Sequence, residues 1–407
     1  MTQAVFAPAD RLTEMRAVAP ICAAHFLSHY YMLLLAPLLA FIRADYGVSY
    51  TDIALALTVF NVVSAVMQTP AGFLVDRVSA RRVLIVGVAL GSAAVAAAGL
   101  VNSFAAFIAM FGVAGLANTV YHPADYSLLS HGAPSRISQI FSIHTFSGIL
   151  GGAVAPATLL AMQAHFGWRG AFVGAAILGL VVLALLVAQR GTPFARPAER
   201  SGQAADAGAN SAPASSAWRM LLAPPILLNL GFFILTSIMG GLGTFLIVAL
   251  GALYGTSTTL ANVALSGLLL LNALGVLVGG FLASWTKRHA TVAALCLAGT
   301  GIVTALVGVI DFAPAALVSM MSLSGLFVGM AAPSRDMLVR AVTPPGAFGR
   351  VFGFVSSGYN IGAMIAPTIY GMMMDHGAPR SMFLFSAACS ILCIGTVVFG
   401  LSGREQK

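Results

Sequence analysis

Apolar runs of about twenty residues recur twelve times along this chain, each long enough for one helix to cross a hydrocarbon layer ~30 Å thick. Nothing else in the sequence constrains the fold as strongly. Lipid offers no partner for a peptide N–H or C=O, so runs of this kind must be helices that satisfy their own backbone. The runs begin near Val18, Ile53, Val83, Phe104, Gln139 and Gly170, and again near Ile226, Thr259, Thr291, Pro314, Val351 and Ser381. Only 8% of the residues are charged, against roughly 25% in soluble domains. The expectation is an all-α integral membrane protein with twelve transmembrane helices.

Residues 1–17 are polar, and no small-residue cleavage site follows the first apolar run, so that run is expected to remain as a span. Residues 190–217 are rich in Ala, Gly, Ser and Pro and cannot build a core. They read as a flexible linker between a half over 1–189 and a half over 218–407. The net charge of +8 would suit a nucleic-acid partner, but the placement of the charges argues against one. Sixteen of the twenty Lys and Arg lie in the termini, the linker and the loops from even to odd spans. The opposite loops hold three, Arg43, Arg169 and Arg380, and one, Arg335, lies inside a span. By the positive-inside rule both termini and the linker are expected on the cytoplasmic side. The four cysteines, Cys22, Cys296, Cys389 and Cys393, sit in apolar runs without ligand-like spacing, which suits helix packing.

The two halves repeat. Tyr46-Gly47-Val48-Ser49 matches Tyr254-Gly255-Thr256-Ser257 at an offset of 208, as Gly72-Phe73-Leu74 matches Gly280-Phe281-Leu282. Gly115 and Pro123 match Gly325 and Pro333 at 210; Phe141, Gly151 and Pro156 match Phe352, Gly362 and Pro367 at 211. Six spans duplicated without inversion give parallel repeats about an axis along the membrane normal.

This pattern resembles the major facilitator superfamily, and the loop after span two carries the resemblance further. Gly72-Phe73-Leu74-Val75-Asp76-Arg77-Val78-Ser79-Ala80-Arg81-Arg82 is similar to that family's Gly-x-Leu-x-Asp-Arg-x-Gly-Arg-Arg/Lys signature, with Ser79 and Ala80 as departures. The resemblance implies transport by rocking of two halves in a bacterial inner membrane, by a monomer. It also implies a cytoplasmic gate in which Asp76 meets the start of span eleven near Arg350. There a helix N-terminus offers partial positive charge. For Arg81 and Arg82 topological charge is a sufficient reason. A narrower resemblance, to the fosmidomycin-resistance group of efflux proteins, rests on His25-Phe26-Leu27, Gln68 and Tyr121-His122-Pro123. His29 and Ala124 stand where that group usually has acids, with Asp125 one place later. Gly148-Ile149-Leu150-Gly151-Gly152-Ala153-Val154-Ala155-Pro156 loosely resembles the superfamily's antiporter motif. Its plainer reading is close helix approach through small residues.

Ionisable side chains inside a membrane are expensive and are functional candidates. His25 and His29, four apart, share one face of span one. His122 and Asp125 lie in span four; there Pro123 frees the carbonyl of Thr119, loosening the helix. Asp125 could orient His122 or bond the hydroxyl of Tyr121. Arg335 aligns with Asp125 at the repeat offset of 210, making Asp125 a candidate partner for it, while Asp336 is expected to point elsewhere on the helix. The alternative for Arg335 is that it only snorkels to the interface. Counting places these groups in one layer in the cytoplasmic half, with Tyr30 and Asn118 nearby and His144 as an outlier. Two histidines with no third ligand on their helix do not specify a metal, so none is expected.

There is no Gly-x-x-x-x-Gly-Lys-Ser/Thr loop, and the chain reads as a transporter, not an enzyme, driven by a proton gradient with no cofactor. Proton-coupled export of a small anionic or amphipathic compound is the first expectation, with Arg335 binding the anion and Asp125 and the histidines exchanging protons. Proton-coupled uptake of an organic anion is the rival, and a transport-inactive receptor or scaffold the remote alternative.

Overall fold

The computed structural model describes residues 11–132, 137–189, 219–344 and 348–401. The chain is helical almost throughout. In the first half the helices are α1 (Arg11–Met32), α2 (Leu35–Tyr46), α3 (Tyr50–Arg77), α4 (Ala80–Leu100), α5 (Phe104–Asn118), α6 (Tyr121–Gly132) and α7 (Ile137–Ala188). The second half holds α8 (Pro224–Gly240), α9 (Leu242–Tyr254), α10 (Thr258–Trp285), α11 (His289–Val309), α12 (Pro314–Val342), α13 (Phe348–Asp375) and α14 (Pro379–Leu401). The linker expected over 190–217 lies outside the described residues, as do the side chains of Asp76 and Arg350.

Among the described residues, nine stretches are long and apolar enough to cross a membrane, and α1 with α2, bent by 40° at Leu33–Leu34, makes a tenth. One of the nine, Ile143–Ala188, is two spans. The helix breaks at Gly167, where φ is 69°, and the chain turns back. Thr158, before the break, bonds Tyr30, whereas Ala175, after it, accepts from Tyr31. With α13, which carries more polar residues, the spans number twelve. Observed helix starts lie within three residues of the predicted ones except at α1, which begins seven residues early.

The repeat is visible in individual contacts. Tyr46 Oη donates to the Val101 carbonyl at 2.8 Å, and Tyr254 Oη to the Val307 carbonyl at the same distance. Gly47 and Gly255 end α2 and α9 with φ of 65° and 64°, a conformation that disfavours any residue with a Cβ. A Cβ on Gly115 would strike the Phe60 carbonyl, and one on Gly325 the carbonyl of Leu268. Gly151 and Gly362 likewise admit the carbonyls of Phe26 and Ile234. These are small-residue crossings, where packing replaces a hydrophobic drive that lipid cannot supply. Gly152 is different, since its nearest neighbour would be Leu33 Cδ2 at 3.7 Å.

Prolines do not act alike in the two halves. The helix is interrupted between α5 and α6 at Thr119 and Val120, four and three residues before Pro123, as the loss of its N–H and its steric demand require. Pro333, its counterpart, lies inside the continuous α12, and Pro156 and Pro367 lie inside α7 and α13.

The ends of the bundle differ. The end where α1 begins carries Arg77, Arg81, Arg82, Lys287, Arg288 and Arg340 and is called the basic end below. There Arg81 donates to the carbonyls of Leu186 and Gln189 at 2.7 and 2.8 Å, capping the C-terminus of α7, an arrangement favoured by the helix dipole. At the opposite end, six hydrogen bonds join the halves through α3 and α13. Asp375 accepts from the N–H groups of Tyr50 and Thr51, each at 2.8 Å. Further in, Asn61 Nδ2 donates to the Ala363 carbonyl at 3.0 Å.

Candidate functional site

The functional side chains fall into two groups, one in each half. The first is built on α1, α6 and α7. Breaking the helix before Tyr121 sets Asp125 in the second turn of α6, where it is fully buried. Its Oδ2 lies 2.9 Å from His144 Nε2 and 3.5 Å from His25 Nδ1. The His25 ring stacks on that of His144 at 3.8 Å, with the rings of His29 and His122 centred 4.8 and 5.3 Å away. The donor atoms of His25, Asp125 and His144 all lie within 4.8 Å of one another, close enough for a shared proton or an ion.

Gly148 makes this cluster possible. A Cβ there would lie 2.5 Å from His25 Cδ2, 2.6 Å from its Nε2 and 2.9 Å from His29 Cδ2. Its hydrogen gives the imidazoles their room, a role the small-residue reading of the span did not specify.

Several expectations need correction. His144 is no outlier, because α7 runs beside α1 and delivers it to Asp125. Counting residues from a span end gives depth but not the direction a side chain faces. The Tyr121 hydroxyl does not bond Asp125; it is buried without a hydrogen bond. Tyr30 faces α7 and bonds Thr158 at 2.8 Å, and Asn118 lines a small void beside Tyr31 and Gly91. Neither joins the cluster.

The second group lies on α8, α12 and α13. Arg335 Nε and Nη2 donate to Asp336 Oδ1 at 2.9 and 2.8 Å, and Nη1 donates to the Tyr359 hydroxyl. The guanidinium also lies over the Phe233 ring, 4.7 Å from its centroid, where the ring quadrupole attracts a cation. Asp336 therefore does not point away. An arginine is long enough to curl back on its neighbour, and Asp125, engaged with His144, is not its partner. Nor does Arg335 merely snorkel, since its side chain is only 15% exposed. Neither Tyr359 nor Phe233 is among the site residues expected from the sequence.

Between the halves lies a cavity of about 480 Å³, lined by Arg335 and Tyr359. Its polar lining comes mainly from the second half, including Thr236, Asn272, Thr300 and Ser386, while the first half presents Leu57, Phe60 and Phe111 with Asn61. The volume lies within the ~300–1,000 Å³ range of small-molecule sites.

The family model of the Major Facilitator Superfamily matches residues 21–307 and 236–407, together nearly the whole chain. The chain belongs to the major facilitator superfamily. That family consists of membrane transporters, not enzymes. A bacterial homologue of the human lysosomal transporter Spinster, in an inward-facing, occupied conformation, superposes with a TM-score of 0.74 at 14% identity, covering 98% of each chain. The nucleoside transporter NupG gives 0.73 at 15% identity, covering 95% of this chain and 99% of that one. These likenesses establish the fold. Among curated relatives, a probable L-galactonate transporter of Escherichia coli is 30% identical over 146 residues, which is 34% of this chain and 31% of the relative. A probable sulfoacetate transporter, SauU, of Cupriavidus necator is 25% identical over 175 residues, 42% of this chain and 40% of the relative. The matched stretches thus span less than half of either relative.

Proposed function

We propose that this chain is a secondary active transporter that moves a small organic anion by alternating access and couples the movement to protons. The observation that carries the reading is Arg335: a guanidinium shielded from bulk solvent yet lining the cavity between the halves. A free arginine at such depth costs ~2.5–3.5 kcal/mol on insertion scales, and Asp336 offsets that cost in the absence of cargo. An arriving carboxylate or sulfonate can take the guanidinium edge that Asp336 holds, in the bidentate geometry arginine favours. The relatives named for L-galactonate and sulfoacetate, both small organic anions, support this chemistry. Protons are assigned to Asp125 with His25 and His144, which lie out of the cavity lining in the other half.

Sidedness follows the charge bias: the basic end is cytoplasmic, and with the opposite end closed by six hydrogen bonds the cavity belongs to an inward-facing state. Export by antiport is the first reading, supported by the His25-Phe26-Leu27, Gln68 and Tyr121-His122-Pro123 pattern. Uptake by symport is the second, supported by relatives named for organic anions and not for drugs. Full-length protein in liposomes under an imposed pH gradient tests both, with aldonates and short sulfonates as probes. Export predicts anion movement against the direction of proton flow, and uptake predicts movement with it. Flux of every probe that ignores the gradient would sink the coupling.

A further inference from the structure

We propose that His25, Asp125 and His144 form a binding site for a divalent transition-metal ion, with Zn²⁺ the best match to the ligand set. The metal site rests on its own geometry and not on the transport reading, in which the same three residues carry the proton, so ion and proton compete for them.

The spacing is the first argument. A tetrahedral ion with bonds of about 2.0–2.1 Å places its ligand atoms roughly 3.3–3.4 Å apart. Asp125 Oδ2 is 2.9 Å from His144 Nε2 and 3.5 Å from His25 Nδ1, so the two edges bracket that value. The ligands come from three helices, which is why no spacing within one helix reveals them.

Unsatisfied atoms are the second argument. His25 Nδ1 and Asp125 Oδ1 are both buried and make no hydrogen bond. A buried polar atom without a partner costs about 1–3 kcal/mol, and native interiors rarely tolerate two side by side. A cation between them satisfies both. It also neutralises a carboxylate whose ion-pair partners among the described residues are histidines, with no Lys or Arg. Two imidazoles and a carboxylate suit Zn²⁺, Ni²⁺ or Cu²⁺ better than Mg²⁺, which prefers an all-oxygen octahedron.

Binding the ion requires the two rings to reorient. The His25 and His144 rings are stacked with an interplanar angle of 25°, so their nitrogens must swing together for both to face one ion. The rings of His29 and His122 lie 4.8 and 5.3 Å from that of His25, within reach of a fourth position after a rotamer change, and His122 is exposed.

Calorimetric titration of the purified, chelator-stripped full chain with Zn²⁺ and with Mg²⁺ tests the site. One Zn²⁺ per chain is expected, with no Mg²⁺ binding. His144→Gln and Asp125→Asn should each weaken Zn²⁺ at least ~10-fold, whereas His165→Gln and His376→Gln, both at exposed positions, should leave it unchanged. Circular dichroism confirms that each variant folds; if His144→Gln does not, His25→Gln carries the same expectation. Co²⁺ in place of Zn²⁺ should show the intense visible absorption of a tetrahedral site. No Zn²⁺ binding by the folded chain, or binding that His144→Gln and His25→Gln leave intact, overturns the proposal. Transport in chelator-treated liposomes is read separately, so loss of the metal site and loss of proton coupling are distinct outcomes.

Discussion

The two halves share a scaffold and differ in what they do with it. The same tyrosine–carbonyl bond closes each half, through Tyr46 and Val101 in one and Tyr254 and Val307 in the other. Yet where the first half has Asp125, the second has Arg335, 210 residues on. Asp125 is withdrawn from the cavity into a nest of histidines, while Arg335 borders the cavity with its own carboxylate, Asp336, and a pair of aromatic rings. Each charged group meets partners from its own half. A duplicated bundle can therefore keep its helix crossings while the charged groups of its two halves take different partners.

That contrast can be broken at its strongest point first. Asp125→Asn should lower proton-linked flux by about 100-fold or more, the scale expected for losing a group that transfers a proton. Equilibrium binding of the anion, measured on the same protein, should change little; an equal loss in both would show that the halves are not divided in this way. Next in size is Arg335→Ala. Charge-assisted hydrogen bonds are worth ~1.5–3 kcal/mol, so the half-saturating anion concentration should rise roughly 10- to 100-fold, with partial recovery in Arg335→Lys. Unchanged half-saturation would remove the anion from that wall.

Gly148→Ala sharpens the comparison within the first half. A methyl group 2.5 Å from His25 must displace the imidazoles, and proton-linked flux should fall about 10-fold. Gly152→Ala, with its nearest neighbour at 3.7 Å, should be close to neutral. Similar effects from both substitutions would mean that general packing, and not the histidine nest, responds.

The smallest effect belongs to Asp375, at the exposed end of α13. Burial pushes its carboxyl up, but hydrogen bonds from the Thr51 side chain, the N–H groups of Thr51 and Tyr50, and Ser49 outweigh this and hold it below its ordinary range. A carboxylate with a lowered pKa contributes its bonds fully above the ordinary carboxylate range and loses them only as pH falls through its own lower value. The clasp between the halves should thus survive mild acid. Asp375→Asn should raise the fraction open at this end by a few-fold, as spin-label distances between α3 and α13 would show, without altering the pH response of the Asp125 wall.

Much of this was legible in the sequence. Span starts, the parallel repeat and the small-residue crossings could be read because lipid imposes length on helices and close approach imposes glycine. The interruption before Pro123 could be read too, from a missing N–H. The unbroken helix through Pro333 could not, because neighbouring helices and local adjustment decide whether a proline opens its helix. Nor could the partners of Asp125 and Arg335. Depth along a helix follows from counting, but which neighbour a side chain meets depends on how helices are rotated against each other. His144 carried a usable signal, being an imidazole in an apolar run; it lacked only a direction. The clasp from Asp375 to Tyr50 and Thr51 joins residues more than 300 apart, and no local pattern announces it.

The clasp has a consequence for energetics. Its bonds from Tyr50 and Thr51 to Asp375 lie at an exposed surface, so as the halves part, water can take the place of each lost partner. An exposed hydrogen bond exchanged for hydration changes the free energy by only ~0.5–1.5 kcal/mol. Rewetting therefore lubricates this seam, and parting it costs little in hydrogen bonding.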